Sequence, residues 1–437
     1  MKKTLRVLLS LILLGNFLST TYASAASFNI DFETSCDSIS LMNLDTDSIV
    51  YEKNPDKRRS PASITKIMTY IIVTQNVNDL EGTKVTATKE TIDELLGTDS
   101  SVANIKAGDE FSVYQLLHGM MIASGNDAAL ILANYIGNGN TSTFVDMMNE
   151  KAYDLGCENT HFVNPHGLYD PNHYTTTNDM LKITKYALTM PYFSEITNKT
   201  VSYILGDDLP LVTTNRLIDP INGGSYYYRY AKGIKTGHLD EAGYCLASSA
   251  VRGGYTYLCI AMGAPINSEN DNDINGAMID SKTLYMWAFK NLEIKTVLSE
   301  KQPIGETNLK YAYKKDKLML QPAKDLSAIL PVDVDVSSVQ IVKDYPQEVE
   351  APIHEGQKIG TATVYYANNP ISTIDVVSGE TVQRNQLIYA IALLNTIVTS
   401  KIFIALVIIL ILLFAAYAFL VAMQNKQKKE KMKKYKK

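Results

Sequence analysis

The chain has 437 residues, of which 46% are hydrophobic and 20% are charged, and this excludes a disordered or collagen-like protein. Its formal charge of −5 is unevenly distributed, because residues 27–400 carry 29 basic and 45 acidic side chains, a net charge of −16. A nucleic-acid-binding protein normally presents a basic face, so that class is disfavoured. A chain of this length predicts two folded domains and additional segments.

The first 25 residues have the pattern of a secretory signal peptide. Lys2, Lys3 and Arg6 precede an apolar run from Val7 to Leu18, which is too short to span a bilayer comfortably. The small residues Ala23-Ser24-Ala25 then provide a cleavage site. We therefore expect residues 1–25 to be removed on export, with an uncleaved N-terminal anchor as the alternative.

The region from residue 27 to residue 292 predicts an α/β (α+β) domain. Helical patterns dominate from residue 61 to about residue 190, and strand patterns occur at both ends of the region. The predicted strands are residues 38–44, 49–51, 243–251 and 255–262. Strands at both sequence ends with helices between them predict one sheet that joins the two ends.

The first motif with catalytic chemistry is Ser63-Ile-Thr-Lys66, at the start of a predicted helix. Ser60 is predicted to cap this helix, and Pro61 suits its first position. A spacing of three residues places Ser63 and Lys66 on one side of the first turn, close enough to share a proton. An unassisted serine hydroxyl is a poor nucleophile, so a neighbouring base is what acyl transfer requires. The motif is weak alone, since a chain this long contains about one Ser-x-x-Lys by chance.

The second motif is Ser124-Gly125-Asn126, which interrupts two apolar helical runs, residues 113–122 and 128–136. Gly125 is expected to end the first helix, and Asn126-Asp127 to cap the second. A loop held in this way can present a hydroxyl and an amide to a cleft. The triplet Ser-x-Asn also occurs elsewhere in the chain, so by itself it proves nothing.

The third motif is Lys235-Thr236-Gly237, which occurs once in the chain. A lysine on an edge strand can hold a substrate carboxylate, and a glycine lets a ligand lie against the backbone. His238 follows directly and is expected to line the cleft without being required. If the motif stood alone, an ordinary lysine at a strand end would be the preferred interpretation.

The four cysteines are predicted to be free thiols that behave as small core residues. They are Cys36, Cys157, Cys245 and Cys259. The most tempting disulfide joins Cys245 to Cys259, on two strands connected at Gly253-Gly254. If these glycines form a two-residue turn, Cys259 faces Ser248 and the two sulfurs point to opposite faces of the sheet.

Residues 293–384 predict a small all-β domain. Short alternating runs such as residues 361–366 are typical of strands, and turn signals occur at residues 368–370 and 378–379. Residues 385–401 have helical apolar spacing, which predicts either a linker or a helix on the outer membrane surface. A simple extension of the following helix is the alternative.

Residues 402–423 predict a single transmembrane helix. They contain no charged residue, and a helix of this length is about 33 Å long, enough to cross a hydrocarbon core. Eight lysines follow in residues 424–437, and by the positive-inside rule this tail stays in the cytoplasm. The preceding domains are therefore expected on the extracytoplasmic side of the cell membrane. The sequence predicts no oligomeric state.

The three motifs in this order match the pattern of penicillin-binding proteins and serine β-lactamases. Four segments closely resemble the low-molecular-mass D-alanyl-D-alanine carboxypeptidases, namely residues 60–69, 123–129, 160–168 and 233–238. The likeness runs from about residue 29 to residue 292 and continues more weakly through the β-domain. It implies a β-lactamase/transpeptidase-like domain, with an antiparallel sheet flanked by helices and a helical lobe.

The resemblance also implies the reaction and the catalytic residues. The chain is expected to be a serine-type carboxypeptidase that removes the terminal D-Ala from peptidoglycan stem pentapeptides and is acylated by β-lactam antibiotics. Ser63 is the expected nucleophile, Lys66 its neutral base, and Ser124 the relay that carries a proton to the departing D-Ala. Lys66 can be neutral only if burial and the charge of Lys235 lower its pKa.

The substrate-binding residues follow from the same resemblance. Asn126 is expected to hold the stem-peptide amide, and Lys235 and Thr236 the terminal carboxylate, with Gly237 beside them. The backbone N–H groups of Ser63 and His238 are expected to bind the oxyanion. His161, His166 and His173 match no zinc pattern, so no metal and no cofactor is expected.

Three alternatives differ in chemistry. A β-lactamase must release its acyl group quickly, and some β-lactamases use a glutamate in a loop for this step. The only faintly similar segment in this sequence is residues 195–198, which we interpret as a helix end. An endopeptidase or transpeptidase of the same family would share every motif and differ in cleft shape. A non-catalytic, membrane-tethered scaffold that binds peptidoglycan is the third. The intact Ser63, Lys66 and Lys235 argue against it.

Overall fold

The computed structural model describes residues 28–98, 100–266, 274–300 and 302–434. The predicted signal peptide lies outside these ranges. The chain divides into two compact units. The first contains the residues up to Val297 together with Ser327–Gln340 and Val364–Ser372. The second contains Leu298–Leu326, Ile341–Thr363 and the residues from Thr373 onward.

The first unit combines a central sheet with helices. Its strands are β1 (Ser38–Asn43), β2 (Ser48–Lys53), β3 (Lys84–Thr86), β4 (Glu110–Ser112), β5 (Val201–Ser202), β6 (Leu211–Val212), β7 (Ala231–Leu239), β8 (Gly243–Arg252) and β9 (Tyr255–Ala264). Its helices are α1 (Lys66–Asn76), α2 (Lys89–Asp93), α3 (Val113–Ile122), α4 (Asn126–Ile136), α5 (Thr141–Asp154), α6 (Thr177–Ala187), α7 (Phe193–Thr197) and α8 (Gly276–Asn291). A 3₁₀ turn, Ala62–Thr65, precedes α1.

The central sheet has five antiparallel strands in the order β2-β1-β9-β8-β7. Strand β1 pairs with β9, so the two ends of the region meet in one sheet and the predicted α/β architecture is confirmed. Strand β7 occupies an edge, which leaves one side of the third motif's strand open. Strands β3 and β4 form a separate pair, as do β5 and β6.

The hairpin of β8 and β9 divides the core into two layers. Alternate residues of β9 point to opposite faces, as in any strand. Leu258, Ile260 and Met262 pack with the helices that contain the first two motifs, whereas Tyr257 and Cys259 pack with α8. Cys259 faces Ser248, as the two-residue turn predicts, while Cys245 lies in the other layer. All four cysteines are buried and free, which confirms the prediction.

Strands β10 (Leu292–Leu298) and β13 (Leu326–Pro331) pair with each other. The second unit is built around a six-stranded sheet in the order β14-β16-β17-β12-β11-β15. These strands are β11 (Gly305–Lys310), β12 (Lys317–Pro322), β14 (Gln340–Asp344), β15 (Glu348–Glu350), β16 (Lys358–Tyr366) and β17 (Asn369–Ser378). Strand β12 pairs antiparallel with both β11 and β17, and β15 joins β11 in parallel.

Two apolar helices end the second unit. Asn385 caps α9 (Gln386–Thr399) by accepting from the backbone N–H groups of Leu387 and Ile388. Ser400 is extended, at φ −66° and ψ 138°, and separates α9 from α10 (Lys401–Lys434). By length and composition, the helix Lys401–Lys429 can cross a membrane, and an 18-residue window within it has a mean hydropathy of 3.2. The location of α9 on a membrane surface stays a prediction.

Candidate active site

The three motifs meet at one cavity of about 310 Å³ in the first unit. Ser63 comes from the 3₁₀ turn before α1, Ser124 and Asn126 from the junction of α3 and α4, and Thr236 from the edge strand β7. The remaining lining residues are Ser100, Ser101, Gly167, Leu168, Thr214, Gly237, His238, Leu239, Tyr244 and Asn275. Folding therefore gathers chain segments more than 170 positions apart around one hydroxyl.

The turn that carries Ser63 differs from the predicted helix start. Pro61 occupies the N-cap position with no side-chain cap, and Ser60 Oγ is buried without a partner, so the prediction that Ser60 caps the helix was wrong. The physical reason is the tight 3₁₀ geometry, which begins with Ala62 in the left-handed region at φ 48°. Gly167 packs against this turn, and a Cβ there would lie 2.0 Å from the Ala62 carbonyl oxygen.

Lys66 is fully buried and touches Ser63 directly. Its Nζ donates to Ser63 Oγ at 2.8 Å, to Asn126 Oδ1 at 2.5 Å and to the carbonyl oxygen of His166 at 3.0 Å. The last two partners accept hydrogen bonds but cannot donate them through these atoms. A neutral amine keeps two N–H groups and one lone pair. In the neutral form the two carbonyl oxygens take both N–H groups, so the hydrogen bond with Ser63 reverses and the lone pair accepts the hydroxyl proton.

The electrostatics favour this neutral form. Burial lowers the pKa of Lys66 well below its usual value, and the positive charge of Lys235 lowers that pKa further, while Asp127 opposes the shift. Lys235 is also buried, and burial lowers its pKa to about 7. Its Nζ donates to the carbonyl oxygen of Thr236 at 2.9 Å. Burial thus lowers the pKa of both lysines, and a positive charge on Lys235 favours the neutral form of Lys66.

The second motif presents Ser124 from a strained backbone position. Ser124 has φ 61°, in the left-handed region that non-glycine residues rarely occupy, and it is buried at the junction of two helices. Helix α3 ends at Ile122, as expected. The predicted cap on the second helix was misplaced by one residue, because Gly125 is the N-cap of α4 and Asn126 is its first residue.

Asn126 makes a contact that the sequence did not predict. Its Oδ1 accepts from Lys66, so this side chain orients the base. The expected role of holding a substrate amide therefore falls to its Nδ2 group alone.

The third motif lies within β7 and closes the cavity from the sheet side. The Thr236 hydroxyl hydrogen-bonds with the Thr214 hydroxyl. At Gly237, a Cβ would lie 3.0 Å from the Pro61 carbonyl oxygen and 3.1 Å from Ser63 N, so a glycine allows the strand to approach the nucleophile's backbone. His238 is exposed and stacks on Tyr244, with ring centroids 4.5 Å apart.

Sequence reasoning missed three contributors to this site. The carbonyl oxygen of His166 bonds Lys66, and a backbone atom leaves no side-chain signal. Thr214 supplies a second hydroxyl beside Thr236, yet no motif marks it. Ser100 and Ser101 line one wall of the cavity, where the Ser101 carbonyl oxygen accepts from Asn126 N. No sequence motif marks these two residues. The nearest sequence signal was the resemblance of residues 160–168, which contain His166.

Two buried histidines, His166 and His173, accept hydrogen bonds from backbone N–H groups of their own loop. His166 Nδ1 accepts from Leu168 N, and His173 Nδ1 accepts from Val163 N, so the remaining proton of each neutral ring is on Nε2. His173 Nε2 then donates to Thr65 Oγ1 at 2.8 Å. Burial is the main cause that lowers the pKa of His166 to about 3 and that of His173 to about 4. Among the residues that the structure describes, no His, Cys, Asp and Glu group could hold a metal ion.

These two histidines predict acid sensitivity of the fold. Their folded pKa values lie below the ordinary value of 6.5, so at a pH between the two values the unfolded chain binds protons that the folded chain does not. Lowering the pH from about 7 to about 5.5 should therefore remove about 1 kcal/mol of unfolding free energy per histidine. Denaturant unfolding at both pH values checks this.

The variants His173→Asn and His161→Asn provide the comparison. His161 is exposed, so its variant changes no buried contact, whereas His173→Asn should lose about 1 kcal/mol of the pH dependence. Equal pH dependence in both variants would contradict the structural role given to His173.

Comparison with known proteins agrees with this geometry. Residues 22–266 match the family described as D-alanyl-D-alanine carboxypeptidase, and residues 292–384 match the penicillin-binding protein 5 C-terminal domain. The D-alanyl-D-alanine carboxypeptidase DacF of Bacillus subtilis is 31% identical over 81% of this chain and 89% of its own length.

Solved structures show the same similarity. Penicillin-binding protein 5 from Haemophilus influenzae has a TM-score of 0.68 and 27% identity, covering 82% of this chain and 100% of that chain. The Streptomyces K15 DD-transpeptidase has a TM-score of 0.53 and 29% identity, covering 60% of this chain and 100% of that chain. This chain therefore belongs to the family of serine D-alanyl-D-alanine carboxypeptidases, hydrolases of the penicillin-binding protein type.

Proposed function

We propose that this enzyme removes the terminal D-Ala from peptidoglycan stem pentapeptides through an acyl-enzyme on Ser63. The observation that carries the proposal is the 2.8 Å contact between Ser63 Oγ and the Nζ of a fully buried lysine. Neutral Lys66 takes the proton as Ser63 Oγ bonds to the carbonyl carbon between the two D-alanines. β-Lactam antibiotics would acylate the same oxygen.

The leaving group needs a proton when the peptide bond breaks. Protonated Lys66 is its source, and Ser124 relays it to the amine of the departing D-Ala. The support for this role is that Ser124 lines the same cavity as Ser63 and is buried there. Asn126 holds Lys66 through Oδ1 and offers Nδ2 to the stem-peptide amide. Water then attacks the acyl-enzyme and releases the tetrapeptide.

The terminal carboxylate binds at β7. Burial lowers the pKa of Lys235 to about 7, and a bound carboxylate would favour its charged form, while the neighbouring Thr236 and Thr214 hydroxyls supply donors. The backbone N–H groups of Ser63 and His238 bind the oxyanion. The close approach of Gly237 to Ser63 N supports this placement. Each such donor is worth about 3–4 kcal/mol in the transition state of other acyl enzymes.

The location that we propose is the extracytoplasmic face of the cell membrane. Helix α10 would anchor the chain by a single span, and the lysines from residue 426 onward would stay in the cytoplasm. The N-terminal pattern of Lys2, Lys3 and Arg6 before an apolar run would direct export. This orientation would put the catalytic unit where peptidoglycan is.

The test is mass spectrometry of a pentapeptide ending in D-Ala-D-Ala after incubation with the full-length enzyme in detergent. We expect tetrapeptide and free D-alanine. The matched control is the same peptide with a C-terminal amide, which removes the charge that Lys235 binds and should react about 100-fold more slowly or worse. An unchanged pentapeptide, or equal rates for acid and amide, would contradict the proposal.

Transpeptidation is a second candidate, favoured by the shared fold with the Streptomyces K15 DD-transpeptidase. It uses the same acyl-enzyme and replaces water with a peptide amine. Adding an acceptor peptide to the incubation separates the two reactions. A cross-linked product exceeding the tetrapeptide would favour transpeptidation.

A further inference from the structure

Asp127 is a buried carboxylate that the proposed reaction does not use. It is 2% exposed. Its Oδ1 accepts from the backbone N–H groups of Ala103 and Ala128, each at 2.8 Å, and its Oδ2 accepts from that of Ile105 at 3.0 Å. Within the described part of the chain, no lysine or arginine forms an ion pair with it. Its partners are therefore backbone amides, two of them in a separate segment.

That segment, residues 101–105, has no regular secondary structure and borders the cavity. Ser101 lines the cavity, and its carbonyl oxygen accepts from Asn126 N at 2.9 Å. Three hydrogen bonds thus attach residues 101–105 to Asn126 and Asp127, and two of them end on Asp127. Without helix or strand bonds of its own, the segment depends on these contacts.

Gly125 shows how tightly the carboxylate and the segment fill this space. A Cβ at residue 125 would lie 2.6 Å from Asp127 Oδ1 and 2.9 Å from the Ala103 Cβ. Any side chain at this position must displace one of them. The glycine in the middle of the second motif is therefore required by Asp127 and its bound segment.

We propose that Asp127 is a positioning residue for the acylation step: it fixes residues 101–105 as a cavity wall, holds Asn126 against Lys66 and supplies the negative charge that faces the base. The inference rests on the proposed function, because it takes Lys66 as the base of Ser63. Asp127 touches neither Ser63 nor Lys66. It acts through Asn126, whose Oδ1 bonds Lys66 at 2.5 Å.

The charge of Asp127 gives this role a measurable signature. The ionisable groups around Lys66 are Lys235 on β7, Asp127 on α4 and His166 in the loop. Lys235 lowers the pKa of Lys66 and Asp127 raises it, while His166 stays neutral because its pKa is about 3. Removing the negative charge should lower the pKa of Lys66. The acid limb, which is the fall in the acylation rate as the pH is lowered and Lys66 becomes protonated, should then move to lower pH.

Two variants of the full-length enzyme distinguish the effect of the position of residues 101–105 from the effect of the Asp127 charge. Asp127→Asn keeps the shape but loses the charge and one acceptor oxygen, so the rate of Ser63 acylation by penicillin should fall about 10- to 100-fold. Its acid limb should also move down by about half a pH unit or more. Gly125→Ala displaces the segment and keeps the charge, so it should lose rate to a similar extent with an unmoved acid limb.

Asp280→Asn is the matched control. Asp280 is also a buried carboxylate, accepting from Cys36 N at 2.7 Å and from Ser35 Oγ at 3.0 Å, and it lies on α8 in the other core layer. Its variant should lose thermal stability as Asp127→Asn does, yet acylate within about twofold of the wild-type rate with the same acid limb.

Each outcome bears on the proposal. Acylation of Asp127→Asn within about twofold of wild type would overturn it, and so would a slow Asp127→Asn with an unmoved acid limb, which a merely structural role produces. If Asp127→Asn does not fold, a wild-type rate in Gly125→Ala overturns the proposal and a slow rate supports it. Wild-type enzyme that penicillin does not acylate would instead refute the proposed function.

Discussion

Ser63→Ala should abolish both turnover of the pentapeptide and covalent labelling by penicillin. The substitution removes the oxygen that forms the acyl-enzyme in the proposed reaction, and loss of the nucleophile in other serine hydrolases lowers kcat by about 10⁶-fold. The fold should be unaffected, because Lys66 keeps its contacts with Asn126 and His166. Tetrapeptide release and a penicillin-labelling gel measure the two activities in parallel.

Ser60→Ala is the matched control for this variant. Ser60 lies three positions earlier, outside the cavity, and its Oγ is buried without a hydrogen-bond partner. Its loss should leave turnover and labelling unchanged. Turnover surviving in Ser63→Ala, or lost equally in Ser60→Ala, would refute the assignment of the nucleophile.

Lys66→Met should lower the acylation rate by about 10³-fold or more. Methionine has a similar length and is tolerated in buried positions, so the packing around residue 66 is retained. The loss of acylation rate then reports the missing amine. The substitution leaves two acceptors unpaired, Asn126 Oδ1 and the carbonyl oxygen of His166. Each should lower the free energy of unfolding by about 1–3 kcal/mol. Stopped-flow acylation across a pH series measures the rate.

The pH series distinguishes a base from a structural lysine. In the wild type the rate should fall on the acid side as Lys66 becomes protonated, and in Lys66→Met this limb should disappear. Lys89→Met removes an exposed lysine that pairs with Asp93 and should leave both rate and limb intact. A residual acid limb of the same position in Lys66→Met would show that another group titrates there.

The candidate catalytic residues could be identified in the sequence because their proposed chemistry requires particular side chains. Ser63 and Lys66 share one turn, so their spacing alone places them together. That Ser63 and Thr236 line one cavity could not be derived from local pattern, since β7 reaches the site through the folded sheet. The order of the three motifs supplied that link through resemblance. Register was predictable where a two-residue turn determined it, as for Ser248 and Cys259.

Other features depended on packing that no local rule describes. Ser60 was expected to cap a helix, but the left-handed Ala62 and the tight turn before α1 leave its hydroxyl unused. Asp127 was read as a helix cap, whereas its main partners are amides in residues 101–105. The break at Ser400 between two apolar helices lies next to the boundary expected at residue 401, although neither glycine nor proline marks it.

The location of the acyl group is the most direct test of the whole account. Full-length enzyme should be incubated with a penicillin, digested, and its peptides sequenced by mass spectrometry. We predict one penicilloyl group per chain, on the peptide that contains Ser63 and on that residue's oxygen. A penicilloyl group on Ser124 or on any other residue, or no adduct at all, would contradict the claim that the three motifs converge to activate Ser63.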